Sequence, residues 1–414
     1  MEVIILNIIG ERNTAIVYGE LVDEATIHQI EEICGHPAFE NAHIRIMPDC
    51  HAGKGCVIGF TCVTERRMII PNIVGVDIGC GILTTLFRTG REIDFQRLDN
   101  FIRNNIPSGM NIYETVISGV SENPEIIDTV NHICDIIDES DNVDYHLRSI
   151  GTLGGGNHFI EVDRVEDNLY ALTVHTGSRN LGKRICRYFQ NRASLIDSDL
   201  RRSILAEHRN ALTKEEHEEI DRRAASFVPV SRELAFLTGE RYDMYIDCML
   251  GAKAVAATNR QIISDEIMSF LSEEFGAEID DRFDTVHNYI DWYDESHTSI
   301  IIRKGAISAE EGQRLVIPLN MHDGVIIAYG RGNEEWNCSA PHGSGREFSR
   351  ADARRTFSLE EYANSMEGIY TWSVCESTID ECPMAYKNSD MIIRSIEDTV
   401  NIECIAHTVY NFKA

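Results

Sequence analysis

Five side chains suited to divalent metal ions stand at glycine turns or on apolar strands, far apart along the chain. The stretch "IVGVDIGCGI" (73–82) reads as a buried strand running into a glycine turn, with Asp77 among apolar neighbours and Cys80 between Gly79 and Gly81. A buried carboxylate without a partner is costly, so Asp77 must find a cation or hydrogen bonds. The flanking glycines let the backbone turn sharply and approach something closely. In "GTLGGGNHFIEV" (151–162) a triple glycine delivers Asn157 and His158 just before an apolar strand carrying Glu161. "LTVHTGSRNLG" ends a strand on His175, "DTVHNYI" places His287 within another, and "SAPHGSGREFSR" frames His342 with a proline and two glycines. Any one of the 15 histidines is by default a hydrogen-bonded core or surface residue, as His28, His36, His208 and His217 are read here. The set is different. One Asp, one Cys and three His (158, 175 and 287) suit divalent metal, and a thiolate can bridge two ions. Imidazoles suit zinc, while a carboxylate and open positions suit manganese or iron as well, so spacing leaves the metal open.

Two further stretches point to phosphate chemistry. "MPDCHAGKGCVIGF" (47–60) combines Asp49, His51 and Lys54 with glycines in a turn before a strand. "HGSGREFSR" leads through glycines into a predicted helix carrying Arg346 and Arg350. Backbone N–H groups and arginines in such places favour anions. Neither stretch is a Walker A sequence, which excludes a P-loop nucleotide enzyme.

The elements that must position these groups are mixed. Strand-like runs fill the first quarter ("VIILNII", "TAIVYG", "HIRIMP", "CVIGFTCV", "ILTTLF") and recur at "YALTVH", "DTVHNYI", "SIIIRK", "RLVIPL" and "GVIIAYG". "DEATIHQIEEIC" predicts a helix with Asp23 as N-cap, and Thr213/Glu216 and Ser358/Glu361 predict capping boxes. A long helix is expected from about Tyr242 to Phe275, relieved at Gly251. There is no regular βαβ alternation, so the fold class is α+β with mixed sheets. No repeat or linker marks a boundary, and the nine prolines are scattered, so residues 1–414 are expected to form one large domain. No apolar run approaches membrane-spanning length, and Glu2 replaces the basic start of a signal peptide, so a cytoplasmic location is expected. The twelve cysteines include no C-x-x-C pair and are read as thiols. A net charge of −29 opposes non-specific sliding on nucleic acid but leaves room for a local basic groove. The basic clusters are Arg66 and Arg67, then Arg179, Lys183, Arg184 and Arg187, then Arg346, Arg350, Arg354 and Arg355; each alone reads as solvated surface.

The motifs "MPDCHAGKG", "VGVDIGCG", "GGGNHFIEV", "VHTGSRNLG", "HNYI", "RKGA", "HGSGREFSR" and "DECPMAYKN" stand in the order found in the RtcB family of RNA-splicing ligases, from about Met47 to Lys387. The chain resembles that family. The resemblance implies a compact α+β fold with a deep two-metal cleft. It implies a GTP- and manganese-dependent ligase that joins an RNA 3′-phosphate or 2′,3′-cyclic phosphate to a 5′-hydroxyl. By motif position Cys80 is the thiolate bridging two manganese ions, with Asp77 and His158 on one side and His175 and His287 on the other. His342 corresponds to the guanylylated histidine, and Asp49 is a candidate for handling a proton or an RNA end nearby. Asn157, Phe159, Glu161, Gly343, Ser344 and Lys387 correspond to nucleotide contacts, and Arg179, Arg346 and Arg350 to phosphate contacts. The partner is RNA, with room for an activating protein, and the chain is expected to be a monomer. Departures from the family pattern at Leu319, Asn320 and Ile302 mark a divergent member in RNA repair or tRNA splicing. They motivate one alternative: a metal-dependent phosphoesterase of RNA ends that works without guanylylation.

Overall fold

A computed structural model describes residues 5–19, 22–210, 213–225 and 230–413. The fold is α+β. Local signals act as expected where they are strong. Helix Glu24–Gly35 starts at Asp23, whose side chain accepts from Thr26 N at 2.8 Å, and buries Ile30 and Cys34. Both capping boxes form: Thr213 and Glu216 exchange backbone bonds at the start of Lys214–Ala225, and Ser358 and Glu361 at the start of Leu359–Ser365. Val3 and Ile4 of the first expected strand, and Ser226 and Phe227 beyond the second helix, lie outside the described residues. All twelve cysteines are free thiols, ten of them buried.

Two sheets organise the molecule. One has six strands in the order Ile5–Ile9, Thr14–Tyr18, His43–His51, Ile58–Thr64, Ile300–Lys304 and Asn288–Trp292. The other has seven, in the order Glu278–Val286, Gly81–Arg88, Leu169–Thr176, Phe159–Glu166, Val400–Lys413, Gly324–Gly330 and Arg314–Asn320. All pairings within them are antiparallel except Thr14–Tyr18 with His43–His51. The seven-stranded sheet curls until its edge strands meet, where Val316 N donates to Thr285 Oγ1 at 3.2 Å and Arg314 pairs with Asp281. Its convex side is covered by helix Glu240–Phe275, whose Ile263, Ile267 and Leu271 pack on Phe87, Leu172 and Val174. Each such side chain contributes roughly 1.5–3 kcal/mol of burial.

Three local expectations are corrected. Residues 73–82 are not a strand entering a turn: Pro71–Val74 is a short helix, the turn follows, and the strand begins at Gly81. "DTVHNYI" is not one strand. The ladder of the seven-stranded sheet ends at Val286, and that of the six-stranded sheet begins at Asn288, so His287 is the joint between them. Gly251 does not relieve the long helix, which runs through it; a Cβ there would meet Ile133 at 2.9 Å, so the glycine lets helix Pro124–Ile136 pack close.

Candidate active site

The seam between the sheets is where the chemistry-bearing residues meet. Gly79, at φ 72°, turns the chain beneath the long helix, where a Cβ would fall 2.9 Å from Lys253 Cα, so only glycine fits. The turn is tied to the start of the six-stranded sheet's strand Asn288–Trp292 by Gly79 N to Asn288 O at 2.8 Å and His287 N to Cys80 O at 2.9 Å. Cys80 Sγ therefore faces inward, 3.2 Å from His175 Nε2 and 3.6 Å from His158 Nε2. His158 Nε2 is 3.2 Å from Asp77 Oδ2, and His175 Nε2 is 3.4 Å from His287 Nε2. Two triads result, Cys80/His175/His287 and Asp77/Cys80/His158, with the ligand atoms of each within 4.8 Å of one another and Cys80 common to both.

Protonation makes this arrangement a cation site. His158 Nδ1 lies 3.0 Å from Leu153 O, and His175 Nδ1 lies 3.1 Å from Asn157 O. A carbonyl only accepts, so His175 Nδ1 carries the hydrogen and its Nε2 presents a lone pair, whereas His158 Nε2 is matched by the Asp77 carboxylate. Burial, reinforced by the neighbouring histidines, holds His175 and His287 well below the ordinary imidazole range, and therefore neutral. Burial and the Asp77 charge push the Cys80 thiol well up. Lone pairs converging on a sulfur that resists ionisation are unfavourable alone, and a bound divalent cation reverses each of those preferences. The residues fit such an ion.

Asp77, His175 and His287 of the cluster form one wall of a cleft of about 280 Å³, at the small end for ligand sites, while Cys80 and His158 are not among its lining residues. Asn157, Phe159 and Glu161 line it, as do Gly343, Ser344, Arg346 and Arg350. His342 stands beside the cluster, its ring centroid 4.9 Å from that of His287. Its Nδ1 is 2.6 Å from Oδ2 of the fully buried Asp49. With Nδ1 turned to that carboxylate, Nε2 is the ring nitrogen left free of it. Gly305, at φ 61°, makes room for the ring: a Cβ there would meet Ile58 at 2.3 Å and His342 Cε1 at 3.2 Å. Ser344 Oγ is buried without a hydrogen-bond partner on this wall, as a ligand contact would require. Burial pushes the Glu161 carboxyl up to about 7, against the pull of Asn411, which donates to it, and of Lys413.

Four residues expected in the site stand differently. Arg346 precedes the helix that was to carry it, which begins at Arg350. Both arginines line the cleft already engaged, Arg346 with Glu381 and Arg350 with Asp380 and Glu381. Arg179 is not among the cleft-lining residues. It lies behind His158, with Nε donating to Thr152 Oγ1 at 3.2 Å. Lys387 is buried outside the cleft, its Nζ donating to Pro48 O at 3.0 Å and Cys50 O at 2.8 Å, so it braces the segment that carries Asp49.

The lysine in the cleft is Lys413, paired with Glu381 and next but one to Asn411 on the last strand. The period-two pattern of "YNFK", with Tyr410 and Phe412 in the core, could have placed both on one face. His51, singled out with Asp49 for phosphate chemistry, lines the cleft; unforeseen are Asn259 and Arg260 of the long helix. Asn259 accepts from Gly151 N at 2.7 Å and donates to Gly177 O at 3.2 Å. Arg260 donates to Gly79 O at 2.8 Å and Thr176 O at 2.9 Å, and pairs with Asp284 at 2.6 Å. These two side chains pin the three ligand-bearing loops to one helix.

A family profile described as "tRNA-splicing ligase RtcB" matches residues 29–414. "RNA-splicing ligase RtcB1" of Escherichia coli (strain ATCC 25922) is 31% identical over 385 residues, covering 87% of each chain. "RNA-splicing ligase RtcB" of Escherichia coli K12 is 30% identical over 383 residues, again 87% of each. "tRNA-splicing ligase RtcB" of Methanococcus maripaludis is 27% identical over 457 aligned positions, covering 92% of this chain and 89% of that one. Among the described residues no helix is long and apolar enough to cross a membrane.

Proposed function

This chain belongs to the RtcB family of RNA ligases, and we propose that it joins RNA 3′-phosphate or 2′,3′-cyclic phosphate ends to 5′-hydroxyl ends, using GTP and two manganese ions, in RNA repair or tRNA splicing. The observation that carries the reading is His342, held through Nδ1 by Asp49 beside two triads of metal-type side chains that share Cys80.

In this scheme His342 Nε2 attacks the α-phosphorus of GTP, an N–P bond forms and pyrophosphate leaves. Asp49 keeps the proton on Nδ1 and stabilises the positive charge that develops on the ring. The GMP then passes to the RNA 3′-phosphate, and the 5′-hydroxyl displaces it to form the phosphodiester. A cyclic phosphate is first opened by water to the 3′-phosphate. Asp77, Cys80, His158, His175 and His287 would hold the ions, which supply charge neutralisation at the phosphates. Asn157, Phe159, Glu161, Gly343, Ser344 and Lys413 would seat the nucleotide, and Arg346 and Arg350 would meet phosphates as their carboxylate partners release them.

The test is incubation with GTP labelled at the α-phosphate in the presence of manganese. The expected result is an acid-labile label on the protein that His342→Ala abolishes. The alternative, a phosphoesterase without guanylylation, draws on Leu319 and Asn320 in the cleft wall, where the chain departs from the family pattern. End-trimming activity with no label would establish it and discard the ligase scheme.

A further inference from the structure

In this acidic chain many arginines end on a carboxylate, as Arg66, Arg88, Arg260 and Arg314 do. A group beside the metal cluster does not. Helix Arg179–Asn210 exposes two rows of residues spaced by four, and side chains at that spacing are neighbours on one face. One row is neutralised: Arg184 pairs with Glu139 at 3.1 Å and Arg192 with Asp138 at 3.3 Å. The other holds Arg179, Lys183 and Arg187. Among the described residues no carboxylate comes within ion-pair distance of Lys183 or Arg187, and both are exposed.

The row begins at the metal cluster, where Arg179 Nη1 lies 3.3 Å from His158 Nδ1. It runs on to Asn191, whose Oδ1 accepts from the exposed Arg232 at 3.4 Å. Lys54 flanks it from the opposite loop. Lys304 Nζ ties Lys54 O at 2.7 Å to Asn72 O at 3.2 Å, and Asn72 Oδ1 in turn meets Cys186 Sγ, beside Arg187, at 3.6 Å. Glu233, on the Arg232 loop, is engaged by Asn72 Nδ2 at 2.8 Å. From Arg179 to Asn191 the helix rises about 18 Å, long enough to face successive phosphates of one strand.

We infer that Lys183 and Arg187, with Lys54 and Arg232 beside them, form a docking track for the phosphodiester backbone of the RNA strand whose end sits at the metal cluster. The inference rests on the ligase reading and adds a substrate path to it. A chain of net charge −29 repels RNA on average, so productive contact requires a local positive field leading to the site. The track offers cations on flexible stems and no aromatic platform in the same row, so it reads backbone charge and not base identity.

The test compares binding of a trinucleotide and a dodecanucleotide, each ending in 2′,3′-cyclic phosphate, to the full-length manganese-loaded protein over a range of salt. For wild type the longer RNA binds more tightly. In the Lys183→Ala/Arg187→Ala variant that advantage is expected to fall about tenfold, and the salt slope to flatten by about 1.4, from about 0.7 per lost contact on single strands. Trinucleotide binding and GTP labelling of His342 should stay unchanged, and Lys183→Arg/Arg187→Lys should restore the slope. A variant that keeps the wild-type length advantage and slope while His342 still takes the label overturns the track and leaves the ligase reading intact. Equal weakening for both RNAs overturns it too. Failure of wild type to take the label overturns the ligase reading, and the track with it.

Discussion

Glu161 is buried at the cleft wall, and burial pushes its carboxyl up to about 7, far above the roughly 4.3 of an exposed glutamate. Between those values the folded chain keeps a proton that the unfolded chain has released, so this group's contribution to stability declines as pH rises towards 7. Asp163, raised by burial and by Glu161 itself, acts in the same direction. Glu161→Gln needs no proton and can still accept from Asn411. Thermal melts should therefore show the variant more stable than wild type near pH 8, with the difference gone once the pH falls well below about 4.3, where wild type is protonated in both states. Identical melting temperatures near pH 8 would mean that the carboxylate is better solvated than its burial implies. The metal-type residues were legible at this scale because glycine turns and apolar strands made Asp77, Cys80, His158 and His175 chemically conspicuous. Lys413 and Asn411 were not, because a polar pair near the end of an alternating strand looks like an ordinary solvent face until another strand closes over it.

Among the elements, helix Glu240–Phe275 positions the site without lining its cleft. Arg260 has no solvent exposure and satisfies two carbonyls of ligand-bearing segments together with Asp284. Arg260→Ala would leave a carboxylate unpaired and Gly79 O and Thr176 O without donors, a loss of about 3–5 kcal/mol. Urea unfolding should register that drop, and calorimetric titration should show weaker manganese binding because the Cys80 turn and the end of the His175 strand are no longer pinned. Arg260→Lys keeps the charge but not the fork of donors, so metal binding should remain impaired. Unchanged manganese affinity in both variants would show that the loops hold their shape without the clamp. Helix starts such as Asp23 and Ser358 were legible because capping chemistry is local. The clamp was not, since nothing in "TNRQ" distinguishes it from any polar stretch of helix. The breaks at 75–80 and at His287 were equally hidden: apolar continuity suggested strands, whereas the competition between two sheets decides where each ladder stops.

For the molecule as a whole, the two sheets meet at a seam crossed by the chain at His287, and the candidate ions would sit on that seam. Cys80 and His175 come from the seven-stranded side, whereas Gly305 N, just beyond a strand of the six-stranded sheet, donates to His287 O at 2.8 Å. A cation held there would draw ligands from both sides of the seam, and only the folded chain assembles those ligands, so binding would add directly to stability. At a hundredfold excess over the dissociation constant the gain is about 2.7 kcal/mol per site. Manganese should therefore raise the unfolding temperature in proportion to the logarithm of its concentration, and a chelator should reverse the rise. Amide exchange at residues 286–288 and 303–306 should slow together on loading, since both segments flank the joint. Cys80→Ala removes the atom common to both triads while leaving a small apolar residue in a buried position, so it should fold yet lose most of the manganese-dependent shift. His342→Ala, outside both triads, should keep the shift while losing the GTP label. If Cys80→Ala retained the full thermal response, the ions would be held by one triad's imidazoles or elsewhere, and not through the shared sulfur.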